Sequence, residues 1–231
     1  MTTPEASGKS FARIQQLLRA SLGTIEPVLV LPSGGGIGLE MLLRTAILHR
    51  AAVLVQGVQG EALARTAESL GKEVVRIVTA EDLPVDVDQV DRYLEGPDLD
   101  TLLVELDPAT GLSPGLLQSI GRVVRRRRGM MLVADATRAF GRAPLDMDRW
   151  GVDAMFTALE GALGLPAGPG VLAISGRLLH RLRGRTGRGT LLDLVAYHAA
   201  ASEGRPVSPL SRAQLEALER HLEAVLSPPR P

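Results

Sequence analysis

Thr101–Asp135 reads TLLVELDPATGLSPGLLQSIGRVVRRRRGMMLVAD. Its first segment, Thr101-Leu-Leu-Val-Glu-Leu106, is apolar at almost every position, which suits a strand covered on both faces. Leu116–Arg127 then places apolar residues at helical spacing, and the arginines up to Arg128 close it before Gly129. Met130-Met-Leu-Val-Ala134 is a second doubly apolar strand, and it ends at Asp135. Strand, crossover helix and strand in this order predict two parallel neighbours in a buried sheet.

The same alternation extends outward. Upstream, residues 11–22 (FARIQQLLRASL) predict a leading helix, and Pro27-Val-Leu-Val-Leu-Pro32 a strand. Ser33-Gly-Gly-Gly36 follows, and then an apolar helix through Leu48. Ala52–Gln56 is a strand before a Gly-rich turn and a helix at Glu61–Leu70; Gly71 stops that helix ahead of the strand Glu73–Val78. Asp88–Leu94 predicts a short helix, with Asp82, Asp86, Asp88 and Asp91 as its acidic approach. Downstream come short strands at Ala154–Phe156 and Gly170–Ser175, then helical patterns at 176–183, 190–201 and 210–225. No internal repeat or long linker divides the chain. The expectation is one doubly wound α/β domain over residues 1–231, with a polar arm at 1–10 and a Pro-rich tail at 226–231.

Composition narrows the function. Acidic and basic residues balance at 26 each, so no net field draws the chain to nucleic acid or to a membrane. Cysteine is absent, which excludes disulfides, thiolate metal sites and cysteine nucleophiles. The apolar runs are far shorter than the roughly 20 residues that span a bilayer. Residues 1–10 carry no apolar signal core, so a cytoplasmic location is expected. The histidines (His49, His180, His198 and His221) are scattered at helical positions without carboxylate spacing for a metal. Two arginine-rich stretches, Arg122 to Arg128 and Arg177 to Arg188, are read as basic helix ends favoured by the macrodipole, with an arginine-lined groove for phosphate, RNA or an acidic partner as the alternative. Lysine occurs only at Lys9 and Lys72.

The turn Ser33-Gly-Gly-Gly-Ile-Gly38 between strand and helix is suited to presenting backbone N–H groups to an anion. It is not a dinucleotide fingerprint, because Leu39 stands where the last glycine belongs and Gln56, not an acid, ends the second strand. A P-loop fails as well, for want of Gly-Lys-Ser/Thr. A tight turn with a packing role is the other reading of these glycines.

Several runs occur in a telling order: Asp107-Pro-Ala-Thr-Gly111, Leu132-Val-Ala-Asp-Ala136, Pro144–Asp153 and Thr157-Ala-Leu-Glu-Gly-Ala-Leu-Gly164-Leu-Pro-Ala-Gly-Pro-Gly170. Together with Gly57-Val-Gln-Gly60, Leu191–Leu194 and Pro206–Pro209, this succession resembles the large domain of class V aminotransferases, the alanine–glyoxylate and serine–pyruvate group of fold-type I enzymes dependent on pyridoxal phosphate (PLP). The resemblance covers about residues 10–225. It implies a three-layer α/β/α fold with a mostly parallel sheet containing one antiparallel strand.

The resemblance implies roles residue by residue. Asp135 matches the acid that pairs with the cofactor's ring nitrogen. Gly34, Gly35 and Gly36 match a phosphate cup that has lost its hydroxyl side chains. Gln59 stands where the family stacks an aromatic ring, after Gln56-Gly57 in place of Asn-Gly, and Pro108 replaces a hydroxyl residue. Ser208 matches a hydroxyl that reaches a phosphate across a dimer interface. Gly161 occupies the position of the lysine that holds the cofactor covalently and moves the substrate's α-proton.

With the family's small domain also missing after Pro231, the expectation is a non-catalytic homologue with a vestigial cofactor site, acting as a binding or regulatory protein. Non-covalent PLP or a small anion would be its ligand, if any. A homodimer, or a heterodimer with an active family member, is the expected assembly. The alternative is an aminotransferase-like enzyme that binds PLP non-covalently and acts on a small amino acid and an oxo acid.

Overall fold

The computed structural model describes residues 4–31, 35–81, 83–109, 112–159, 169–183, 193–206 and 212–226. In chain order the elements are α1 (Pro4–Leu22), β1 (Val28–Leu31), α2 (Gly35–Ala46), β2 (Arg50–Gln56), α3 (Gly57–Ser69), β3 (Glu73–Thr79), α4 (Val87–Tyr93), β4 (Leu99–Glu105), α5 (Pro114–Arg125), β5 (Met131–Asp135), α6 (Met147–Trp150), β6 (Ala154–Ala158), β7 (Gly170–Ile174), α7 (Gly176–Leu182), α8 (Leu194–Ser202) and α9 (Arg212–Leu226).

The seven strands form one sheet in the order β1-β7-β6-β5-β4-β2-β3. Strands β3, β2, β4, β5 and β6 run parallel, whereas β7 is antiparallel to both β6 and β1. The expected mostly parallel α/β sheet with its antiparallel strand is therefore present. Its central strands are buried on both faces, as their continuous apolar sequences require. Leu102, Val104, Leu132 and Ala134 pack on one face with residues of α1, α4, α5, α6 and α9. Leu103, Met131 and Val133 alternate to the other face, under α2, α3, α7 and α8.

Local chemistry sets the helix starts. Ser113 accepts from the N–H of Leu116 ahead of Pro114 at the first helical position of α5. Asp86 likewise caps α4 through the N–H groups of Asp88 and Gln89, so this acidic run serves the helix. Two helices differ from the periodicity reading. Helix α1 begins at Pro4, inside the expected polar arm, and Ser10 donates to Glu219 of α9. Helix α3 begins at Gly57, with no separate turn, because Gly57 takes φ of 66° and reverses the chain within one residue. His49 sits in the bend between α2 and β2, not in a helix.

The arginines tie elements together at the edge where the parallel strands begin. Arg181 donates to the carbonyls of Ala46, Asp100 and Gly129. Asp100 in turn accepts from the N–H groups of Leu48, His49 and Arg50. Arg177 reaches Asp153, which is fully buried and also accepts from Leu132 N–H and the Ser175 hydroxyl. Arg127 joins α5 to α4 through Asp91. Of these basic stretches, Arg127, Arg177 and Arg181 hold the fold. No described helix is long and apolar enough to cross a membrane.

Candidate functional site

In an open α/β sheet, ligands are received where the parallel strands end. Here that edge carries Gln56, Thr79, Glu105 and Asp135 at the ends of β2, β3, β4 and β5. Glu105 and Asp135 are register partners on adjacent strands. By strand alternation both side chains leave the sheet on the face of α2 and α3, whose N-termini open at the same edge.

Asp135 is steadied by Thr137, whose N–H donates to its Oδ1 at 2.9 Å. The Thr137 hydroxyl also accepts from Ala158 N–H and so links the ends of β5 and β6. Burial pushes the Asp135 carboxyl above the ordinary aspartate range, and the bonds from Thr137 oppose that rise. Glu105 stands in a harsher place. Its side chain is 11% exposed, and no hydrogen bond reaches it among the described residues. Burial first, and then repulsion from Asp135, push its carboxyl up to about 7, against the pull of Arg138. Arg138 lies 3.8 Å from Glu105 but 2.5 Å from Asp107, so its charge is committed mainly to Asp107.

A further carboxyl closes the other side. The Glu81 side chain lies directly over Gly57, where a Cβ would meet its carboxyl group. A carboxylate there faces the positive end of α3. The edge is thus acidic: Glu81, Asp107 and Asp135 crowd Glu105, and Arg138 pairs with Glu105 and Asp107.

The glycine run divides its labour. A Cβ on Gly38 would press on Phe156 and Leu31 at 2.6 and 2.7 Å, so Gly38 meets the packing need. A Cβ on Gly36 would meet nothing within 4 Å among the described residues. Gly35 and Gly36 form the first turn of α2, where no acidic side chain competes for the free N–H groups. Gln59 is exposed on the first turn of α3, and Pro108 is exposed beyond β4. Gly34, Gly161 and Ser208 lie outside the described residues. Among the described residues no group of three or more His, Asp or Glu is arranged to hold a metal.

Sequence reasoning brought Asp135, Gly35 and Gly36 to one edge and missed Glu105, Glu81 and Arg138. One signal for Glu105 was available: a lone carboxyl at the end of an otherwise apolar buried strand. Glu81 gave no such signal, because its place over Gly57 depends on how the β3–α4 connection folds back.

Comparison with known proteins gives a consistent result. The family model described as "Aminotransferase class-V" matches residues 12–208. The 2-aminoethylphosphonate–pyruvate transaminase of Pseudomonas entomophila (strain L48) is 34% identical over 120 residues, covering 49% of this chain and 32% of that protein. The 2-aminoethylphosphonate–pyruvate transaminase 2 of Paraburkholderia xenovorans (strain LB400) is 28% identical over 160 residues, covering 68% and 43%. Among solved structures, an alanine–glyoxylate aminotransferase from Nostoc sp. superposes with a TM-score of 0.82 at 23% identity, over 95% of this chain and 60% of that one. An aspartate aminotransferase of subgroup IV from Thermus thermophilus gives 0.77 at 25% identity, over 95% and 62%. The chain therefore spans less than two thirds of the length of each of these relatives.

Proposed function

Because the chain belongs to the aminotransferase class V family, we propose that it is a member that keeps the seat for the cofactor's ring but lacks its covalent anchor, and that it works as a non-catalytic binding or regulatory protein. The distribution of amines carries this reading. Lys9 and Lys72 are the only lysines in the sequence, and the resemblance puts Gly161 at the family's lysine position. The Lys72 ammonium donates to the Ile47 carbonyl at the edge where β2 and β3 begin, opposite Asp135.

The residues present suit the cofactor's ring better than its anchor. Asp135 is a desolvated carboxyl at the strand end, and a protonated ring nitrogen supplies the positive charge it lacks. The backbone N–H groups of Gly35 and Gly36 would take the phosphate. PLP, when bound, supplies an electron sink for amino-acid chemistry. The chain's own part is to bind the ring and orient it through Asp135. The reading places the protein in the cytoplasm as a dimer, with itself or with another family member. Exposed Ile37, Val58, Val78 and Leu83, all near the carboxyl edge, support a covered surface there.

A second reading is favoured by Asp135 and Glu105: an aminotransferase-like enzyme that holds PLP without a covalent bond and passes an amino group between a small amino acid and an oxo acid. Turnover separates the two. The purified protein, supplied with PLP, is assayed with 2-aminoethylphosphonate and pyruvate and with alanine and glyoxylate. The non-catalytic reading expects no turnover. Steady turnover that disappears in Asp135→Ala establishes the second reading instead.

A further inference from the structure

Glu105 is the residue at this edge that neither the fold nor the family match accounts for. It ends a strand in which Leu102, Leu103 and Val104 are fully buried. Its neighbour across the strand gap of about 4.8 Å is Asp135, its register partner. The two carboxyls share a face, but their support is unequal. Asp135 has Thr137, whereas among the described residues Glu105 has only Arg138 at 3.8 Å, and that guanidinium is already committed to Asp107. The other groups that face Glu105, namely Asp107 and Glu81, are acidic too. A largely buried carboxyl without hydrogen bonds among the described residues is a poor structural device, so its place is better explained by what it meets when a ligand docks.

We propose that Glu105 and Asp135 form a paired-carboxyl seat for a cationic nitrogen ring, in which Glu105 is the specificity-determining residue: it favours ligands protonated at the ring nitrogen and gives up its own proton as they dock. The proposal rests on the reading of the Asp135 edge as a ring seat. The physical sequence is short. With the seat empty, two adjacent carboxyls in a poorly solvated place do not both ionise readily, so one of them, Glu105, retains a proton near neutrality. A pyridinium against Asp135 cancels the repulsion, and the Glu105 proton leaves to solvent. Charge and protons balance: cationic ring plus neutral Glu105 becomes cationic ring plus ionised Glu105, with one proton released. A ring with carbon in place of nitrogen brings no charge and gains none of this attraction.

The test uses pyridoxamine 5′-phosphate as the probe, its carbon-for-nitrogen ring analogue as the control, and calorimetry at pH 7 in two buffers of different ionisation enthalpy. Wild type is expected to release about half a proton more than Glu105→Gln, as a group titrating near pH 7 requires. It is also expected to prefer the nitrogen ring over the carbon analogue by a larger factor than the variant does. Circular dichroism first establishes that the variant is folded. Tight binding with equal proton counts and equal ring preference in the two proteins overturns the role of Glu105 and leaves the ring seat standing. Failure of wild type to bind the probe at all overturns the seat, and this proposal with it. Carbon-13 spectra of the free protein add a ligand-independent check: the Glu105 carboxyl is expected to titrate near pH 7 and to move down in Asp135→Asn. An ordinary glutamate midpoint in wild type overturns the pairing.

Discussion

The Lys72 ammonium donates a 2.8 Å hydrogen bond to the carbonyl oxygen of Ile47, which holds this amine at the edge of the sheet remote from Asp135. The bond satisfies a carbonyl just past the end of α2 and ties α2 to the start of β3. A structural role predicts a structural phenotype. Lys72→Met should lower stability by about 1 kcal/mol and leave the Kd for PLP within about twofold. Urea titration and a fluorescence binding curve check the two parts, and a large loss of PLP affinity would give Lys72 a part in the site.

The crowding of Glu105 predicts a pH dependence of stability with a defined sign. The carboxyl is raised from 4.5 to about 7 in the folded chain, so between those values the folded state holds a proton that the unfolded state has released. Stability is therefore fully present below pH 4.5 and falls as pH rises to 7. Glu105→Gln removes this slope. Relative to wild type, the variant should gain up to about 3 kcal/mol between pH 4.5 and pH 8. Paired urea titrations at the two pH values read the difference, and an unchanged gap contradicts the account.

Gly121 lies in α5 against the backbone carbonyl of Trp150, with no room for a Cβ. Gly121→Ala must push α5 away from α6 and should destabilise by about 1–3 kcal/mol. Gly115, exposed in the same helix with nothing near its missing Cβ, provides the contrast. Gly115→Ala should be neutral or stabilising by less than about 1 kcal/mol. Equal effects at the two sites, measured by thermal or urea unfolding, contradict this packing.

Asp153 is buried with three partners, and its removal leaves Leu132 N–H, the Ser175 hydroxyl and the Arg177 guanidinium short of an acceptor. Asp153→Ala should lower stability by about 3–5 kcal/mol. Because the contact lies at the edge where the strands begin, affinity for PLP in the remaining folded protein should be unchanged. A milder loss, under about 1 kcal/mol, would mean that Arg177 and Ser175 find other partners.

The sheet was legible because its strands are apolar on both faces and its helices carry their caps in sequence, as at Ser113 and Asp86. The family resemblance supplied what periodicity cannot, namely the expectation of an antiparallel strand, which β7 meets, and the choice of Asp135 as a candidate. The start of α3 was misread because one glycine with positive φ does the work expected of a longer turn. Arg127, Arg177 and Arg181 differ from the helix-end reading, because their partners are carbonyls and acids distant in sequence, such as Gly129 for Arg181, and only the folded chain reveals them. Glu105 was passed over for a related reason. Its meaning depends on Asp135 lying beside it, thirty residues later in the chain.

The most direct test of the central claim is titration of the purified protein with PLP, followed by borohydride reduction and mass spectrometry. The account predicts saturable binding that Asp135→Ala abolishes or weakens at least tenfold, with no reduced lysine adduct at Lys9 or Lys72. A stoichiometric lysine adduct would contradict the loss of the covalent anchor, and no binding at saturating PLP would contradict the ring seat at Asp135.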